Sequence, residues 1–363
     1  MAGLELAGRF YRQVVGPLLG GRPHAAALLG DGSEVLGYDD AVSTDHDFGP
    51  RVQVFLPAAG GVDGVTGLLR GLPERFDGFP VAVADGQCPD APPRHRVLVT
   101  TAAAYFTDRL GVDPAEGMGL ADWLLTPTQI LAGLTGGVVL HDPDRALALR
   151  RAALRWYPDD LWRTVLAAGW LRIGQEESFV GRAGGRGDDL GSRLVAARLV
   201  RDLVRLAFLI ERRWAPYGKW LGRACADLTL AAELTPWLRT ALAAEDWRER
   251  EAALCAAGSV LGAATNALGL CPPVDPAPRR FHDRDILVVG AERFTVALTG
   301  AVTDPEVLDL LARLGRRGRT AIGRLPGAVD QAVDCTDVLS DLRRWRAAAG
   351  VLGLGPDPGP PPR

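Results

Sequence analysis

The chain lacks most features that would place it in a class at once. Its five cysteines (Cys88, Cys225, Cys255, Cys271, Cys335) are scattered over 363 residues, and none forms a C-x-x-C pair. That spacing offers neither a zinc site nor a disulfide framework, so the thiols are expected to be reduced, as in a cytoplasmic protein. Residues 1 to 20 contain no unbroken apolar core of the kind a signal peptide carries. No run of about 18 uncharged apolar residues occurs, so no membrane span is expected. The signatures of a P-loop and of a kinase catalytic loop are missing, and there is no internal repeat. A basic stripe is missing too. The net charge is −3 and the pI near 6, which argues against nucleic acid as a partner. Arginine runs such as Arg316-Arg317 and Arg343-Arg344 are local.

What remains is a globular composition, 47% hydrophobic and 23% charged, in a chain long enough for two or three domains. Glycine (44) and proline (26) are abundant alongside alanine and arginine, so not every glycine is a turn signal. Leu6, Phe10, Val14 and Leu18 recur at four-residue spacing and predict a helix over 3–18. Short strands are expected at His24–Leu29, Arg51–Leu56, Pro80–Ala84 and Arg96–Thr100, with a helix over 60–72 between them. After a helix at 102–110 the texture becomes helical. A helix over Leu120–Leu134, broken at Thr126-Pro127, precedes a short strand within 136–143. Helices then follow over 161–173, 192–214, from Trp220, and over 246–268, the last capped by Asp246. Residues 181–191 read as a polar, glycine-rich loop. Four prolines between Cys271 and Arg280 exclude helix there. Strands at Asp285–Val289 and Phe294–Leu298, a helix at 305–314 and a last helix reaching about 351 complete the pattern. The fold class is α+β. The expected layout is a small mixed-sheet domain over 1–110, a helical bundle over 111–270, a small α/β segment over 271–351 and a disordered tail over 352–363.

One stretch carries candidate chemistry. The first strand delivers the chain to Gly30-Asp31-Gly32-Ser33, and a polar spacer leads to Asp45-His46-Asp47 just before Arg51–Leu56. If the two aspartates lie on a strand, both carboxylates leave one face. Close carboxylates repel unless a cation lies between them, which suits a magnesium ion (Mg2+). The Gly32-Ser33 turn can cradle a phosphate with backbone N–H groups and a hydroxyl. Arg51 can meet phosphate or pair with Asp45 or Asp47. A D-x-D or a Gly-Ser alone is also common on ordinary surfaces. The third carboxylate that a full metal site needs is missing from His95–Thr100, the adjacent candidate strand.

The pattern Gly32-Ser33, spacer, Asp45-His46-Asp47 resembles the polymerase-beta-like nucleotidyltransferase superfamily. More closely, the chain resembles a bacterial family of unknown function that joins such a domain to a long helical part. The residues carrying that likeness include Gly37-Tyr38-Asp39-Asp40, Asp45 to Arg51, Arg155-Trp156-Tyr157-Pro158 and Gly187-Asp188. Further on they include Ala215 to Leu221, Arg284-Asp285, Asp330-Gln331 and Asp334. The superfamily resemblance implies transfer of a nucleoside monophosphate from a nucleoside triphosphate to antibiotics, proteins, nucleic acids or other hydroxyl acceptors, and the acidic net charge without a basic stripe favours a small-molecule acceptor over nucleic acid. By analogy with the aminoglycoside branch, Lys219 is expected near the triphosphate, and Tyr217 can stack on the base or simply pack. Trp156 and Tyr157 read mainly as core. Arg182 and Arg186 form a lid or an exposed loop, and Asp334 is a candidate for reaching the acceptor.

Three functions stay open on these residues. The first is metal-dependent nucleotidyl transfer with Asp45 and Asp47 holding the metal. The second is a non-catalytic nucleotide-binding or regulatory protein using Gly32, Ser33 and Lys219. The third is an interaction protein in which the helical part matters and the D-x-D is residual. A phosphotransferase using the γ-phosphate lacks its usual signatures.

Overall fold

The structure, a computed structural model, describes residues 3–40, 49–83, 92–315 and 324–354. It is a mixed α/β N-terminal region with a small sheet, followed by a long, mainly helical region. The chain divides into two compact units. The first is Met1–Asp122 with Gln129–Arg155, and the second is Trp123–Thr128 with Trp156–Arg363.

The first unit is built on a five-stranded sheet. Its strands are β1 (Ala25–Leu28), β2 (Arg51–Leu56), β3 (Ala82–Val83), β4 (Arg94–Thr101) and β5 (Val138–His141), in the order β3-β4-β2-β1-β5. β2 runs antiparallel to β1 and parallel to β4, so the sheet is mixed. Alternation along β2 sends Val52, Val54 and Leu56 to one face, where they meet Leu6, Phe10, Val15 and Leu19. The opposite face carries Arg51, Gln53 and Phe55. Phe55 meets Tyr105 edge-on at 5.2 Å on helix α1 (Ala102–Leu110).

The first helical run departs from its expected spacing. Leu6 and Phe10 are buried as predicted, but Val15 and Leu19, not Val14 and Leu18, continue the stripe. Tyr11–Val15 forms a π turn between the α-helical stretches Gly3–Phe10 and Gly16–Leu19. A π turn takes up one extra residue, which rotates everything after it by one position.

In the second unit, α2 (Asp159–Glu176), α3 (Asp189–Ile210), α4 (Gly218–Cys225), α5 (Ala231–Ala243) and α6 (Trp247–Ala267) carry most of the mass. Trp162, Trp170 and Phe208 are fully buried within it. Asp246 caps α6 as expected, accepting from the N–H groups of Arg248 and Glu249. The stretch 181–191 is not a loop throughout. Phe179–Gly184 is a short helix, and Asp188 caps α3 by accepting from Gly191 N at 2.8 Å. Gly184 reads as a loop residue in sequence, but it serves packing: a Cβ there would lie 2.3 Å from the Trp247 ring.

Phe294–Leu298 is likewise helix, within α7 (Glu292–Gly300), where a strand was expected. Its β-prone composition yields to packing. Phe294 stacks on Trp170 at 4.2 Å and Thr295 Oγ1 donates to Ala167 O, so burial follows a helical face. The strand at 285–289 shrinks to Leu287–Val288, paired with Arg279–Arg280. Helix α5 contains Pro236 and gave no sequence signal. Residues 355–363 of the expected disordered tail lie outside the described residues. No helix among the described residues is long and apolar enough to cross a membrane.

Candidate functional site

β1 ends at Leu28, and its exit is locked by a side chain from β2. Buried Gln53 accepts from Leu29 N at 2.9 Å and donates to Leu29 O at 3.0 Å. A glutamine amide used this way replaces the ladder bonds that a neighbouring strand would supply. The next residue is tied from another side, with Gly30 N donating to Gly133 O at 3.0 Å. The backbone thus enters the Gly30–Ser33 turn from a fixed direction.

The turn itself needs glycine. Gly32 has φ +128°, and a Cβ there would lie 2.3 Å from Arg51 Nη2 and 2.5 Å from Glu34 Oε2. Those two side chains form an ion pair, Arg51 Nη2 to Glu34 Oε1 at 2.7 Å, and Arg51 also donates to Asp31 O. Arg51 therefore clamps the cradle together with Glu34, a residue the sequence reading had not used. Ser33 O accepts from Tyr38 N at 2.9 Å and Glu34 O accepts from Gly37 N at 3.1 Å, so the chain folds back at once.

A second group stands beside the turn. Tyr105 on α1 is buried, and its Oη would lie 2.9 Å from a Cβ on Gly30. The Arg109 guanidinium sits 3.6 Å over the Tyr105 ring. Burial pushes the Tyr105 hydroxyl up, against the pull of Arg109. Among the described residues the hydroxyl has no hydrogen-bond partner. Neither residue was singled out in the sequence. Their only signal is a position on α1 whose packing against β2 is a tertiary fact.

Gly32, Ser33 and Arg51 are thus brought together in the first unit. Asp45 and Asp47 lie outside the described residues. The adjacent strand can be read in detail: the β2–β4 register pairs Arg51 with Arg96, Gln53 with Leu98 and Phe55 with Thr100. The face of β4 beside Arg51 and Gln53 therefore carries no carboxylate. Among the described residues, no group of three His, Cys, Asp or Glu side chains could hold a metal ion. Glu34 is engaged by Arg51, and the Asp39 carboxylate accepts from Gly3 N at 2.6 Å.

Tyr217 and Lys219 fall in the second unit, at the start of α4. Tyr217 is its N-cap residue and its Oη accepts from Trp220 Nε1 at 2.8 Å. Lys219, the single lysine of the chain, is exposed, with Nζ 4.9 Å from the Trp220 ring centre. Trp156 and Tyr157 join Trp123, Trp162 and Trp214 in an aromatic cluster, with Trp156 and Trp214 4.2 Å apart. Asp334 is held by Arg201 at 2.6 Å, and Arg186 donates to Arg182 O at 3.0 Å.

Residues 123–221 match a family described as a domain of unknown function (DUF4037). No curated protein matches the chain. Among solved structures it is similar to a nucleotidyltransferase-like protein from Exiguobacterium sibiricum 255-15, at 14% identity. That likeness covers 84% of this chain and 92% of the other, with a TM-score of 0.32. The likeness to a nucleotidyltransferase-like fold is therefore distant and partial.

Proposed function

We propose that the chain binds a nucleoside triphosphate at the Gly30–Ser33 turn and transfers its nucleoside monophosphate to a hydroxyl of a small molecule. The observation that carries this reading is the turn. It leaves a locked strand end, needs glycine at position 32, and has Arg51 clamped beneath it. Such a turn can offer N–H groups and the Ser33 hydroxyl to phosphate oxygens, with Arg51 holding its shape through Glu34 and Asp31 O.

In the proposed reaction the acceptor oxygen bonds to the α-phosphorus. The bond from that phosphorus to the bridging oxygen breaks, pyrophosphate leaves, and the hydroxyl proton passes to a base. Asp45 and Asp47 are hard oxygen donors that suit Mg2+, which would neutralise phosphate charge. Arg51 would stay on Glu34 and orient the turn. Lys219 and Tyr217 are proposed as contacts to the triphosphate and base, with Lys219 acting as a point charge.

The β4 register favours a second reading. With Arg96 and Leu98 where a third carboxylate would serve, the site suits holding a nucleotide without turnover. The test is a titration of each nucleoside triphosphate, with and without magnesium, on the wild type and on Asp45→Asn/Asp47→Asn. Magnesium-dependent binding lost in the variant supports the site. Pyrophosphate release across a panel of hydroxyl acceptors then separates transfer from holding. A wild type that binds no triphosphate overturns both readings.

A further inference from the structure

We infer that a cavity lying wholly within the second unit binds the carboxylate group of a small organic acid. The cavity has a volume of about 40 Å³ and is lined by Tyr157, Arg172, Asp202, Arg205, Asp330 and Gln331, among others. A volume of that size holds more than one water-sized group, so the space suits a ligand group of a few heavy atoms. Three stretches distant in sequence meet there, at Tyr157, at Ala215 and at Asp330-Gln331.

Two buried donors on its wall are unspent. The Tyr157 side chain is only 3% exposed, and its hydroxyl has no partner among the described residues. Burial pushes that hydroxyl far up and the nearby Asp330 carboxylate adds to the effect, so it stays protonated and can only gain by donating. Arg205 Nε is buried without a partner as well. Each such group costs stability until something accepts from it.

The charged groups on the wall leave room for an anion. Arg172 and Arg205 line the cavity with Asp202 and Asp330, Arg172 also donates to Gln331 O, and Arg213 is exposed and donates to Asp227 O at 2.6 Å. The pairs are also loose. Arg172 reaches Asp202 at 3.4 Å, and Arg205 reaches Asp330 at 3.5 Å. Asp330 is instead drawn to Thr128, accepting from its N–H at 2.8 Å. Elsewhere in the same unit the exposed Arg201–Asp334 pair closes to 2.6 Å. Guanidinium groups held off their own aspartates, beside a neutral phenol, fit a planar anion that accepts two or more hydrogen bonds.

The test uses the full chain. Thermal unfolding and calorimetric titration are run with sodium acetate, inorganic phosphate and sodium chloride at matched ionic strength. Acetate should raise the unfolding temperature saturably, and chloride should not. Tyr157→Phe keeps the ring against Trp123 and Trp214 and removes only the unspent donor. It should leave the acetate-free unfolding temperature unchanged or higher and weaken acetate about tenfold. Arg205→Lys keeps the charge, loses Nε and should weaken acetate similarly. If Arg205→Lys fails to fold, Tyr157→Phe decides alone. The inference is overturned if acetate acts no differently from chloride, if phosphate binds tighter than acetate, or if Tyr157→Phe keeps full acetate affinity. A Tyr157→Phe variant less stable without acetate would also overturn it, since the hydroxyl would then already have a partner.

Discussion

Replacing Gly32 by alanine tests whether the turn is built as described. At φ +128° a side chain is strained, at about 1–3 kcal/mol. The new Cβ would also fall 2.3 Å from Arg51 Nη2 and 2.5 Å from Glu34 Oε2. Both are tips of flexible side chains, so they would swing aside, and the cost is the lost 2.7 Å pair, about 1.5–3 kcal/mol as a charged hydrogen bond. The two together come to roughly 2.5–6 kcal/mol. Arg51→Gln is spared the backbone strain but loses the pair together with the bond to Asp31 O. The assay is denaturant unfolding of the full chain for wild type, Gly32→Ala, Arg51→Gln and the double variant, with nucleotide binding measured on each. The double variant should be more stable than the sum of the single losses predicts, by about the value of the pair, because the pair can be lost only once. Strictly additive losses, or a Gly32→Ala protein as stable as the wild type, would refute the clamp.

Other consequences follow from single side chains. Buried Asp160 accepts from Thr303 N at 2.7 Å, from Thr303 Oγ1 at 3.1 Å and from Asp304 N, and it pairs with Arg163. Burial pushes its carboxyl up, but these bonds outweigh that and hold it below the usual range. Asp160→Asn should therefore cost about 1.5–3 kcal/mol at neutral pH. The gap to wild type should be full above the unfolded carboxylate value, near 3.9, and close as pH falls through the lower folded value. A gap that widens in acid would contradict this. Burial pushes the Cys255 thiol up to about 12, whereas Cys335 is exposed. Alkylation followed by mass spectrometry should label Cys335 and spare Cys255 in the native protein at pH 8, and equal labelling would contradict the packing around α6. Because Lys219 is the single lysine, a dialdehyde derivative of a nucleoside triphosphate followed by reduction has one side-chain target. Labelling at Lys219 blocked by excess triphosphate supports the proposed contact, and labelling that triphosphate does not reduce speaks against it.

Much of the fold could be read from local pattern. β2 spans the expected Arg51–Leu56, because alternation over a strand buried on both faces leaves little choice. Helix 102–110 starts where Thr101 caps it and stops at Gly111 with φ +79°. Misreadings arose where one signal had two physical meanings. Glycine at 184 answers the Trp247 ring and not a turn. The valine- and threonine-bearing stretch at 294–298 is helical because Phe294 and Thr295 both find partners on α2. The one-residue shift at the first helix came from a π turn that no propensity announces.

The site divides along the same line. Gly32, Ser33 and Arg51 were legible because their relation is carried by one turn and the strand after it. Glu34, Gln53, Tyr105 and Arg109 were not, because each acts across the sheet on a residue distant in sequence or through an ordinary-looking side chain. Register adds something that no motif contains. In a parallel pair, residues in register leave the same face, so Arg96 and Leu98 share a face with Arg51 and Gln53. A one-residue slip would exchange that set for Val97 and Val99, which are also not acids. The lack of a carboxylate from β4 therefore does not depend on the exact register. Any third acid group for a metal on this face has to come from outside that strand. That requirement makes pyrophosphate release, more than nucleotide binding, the measurement that tells an enzyme from a binding protein here.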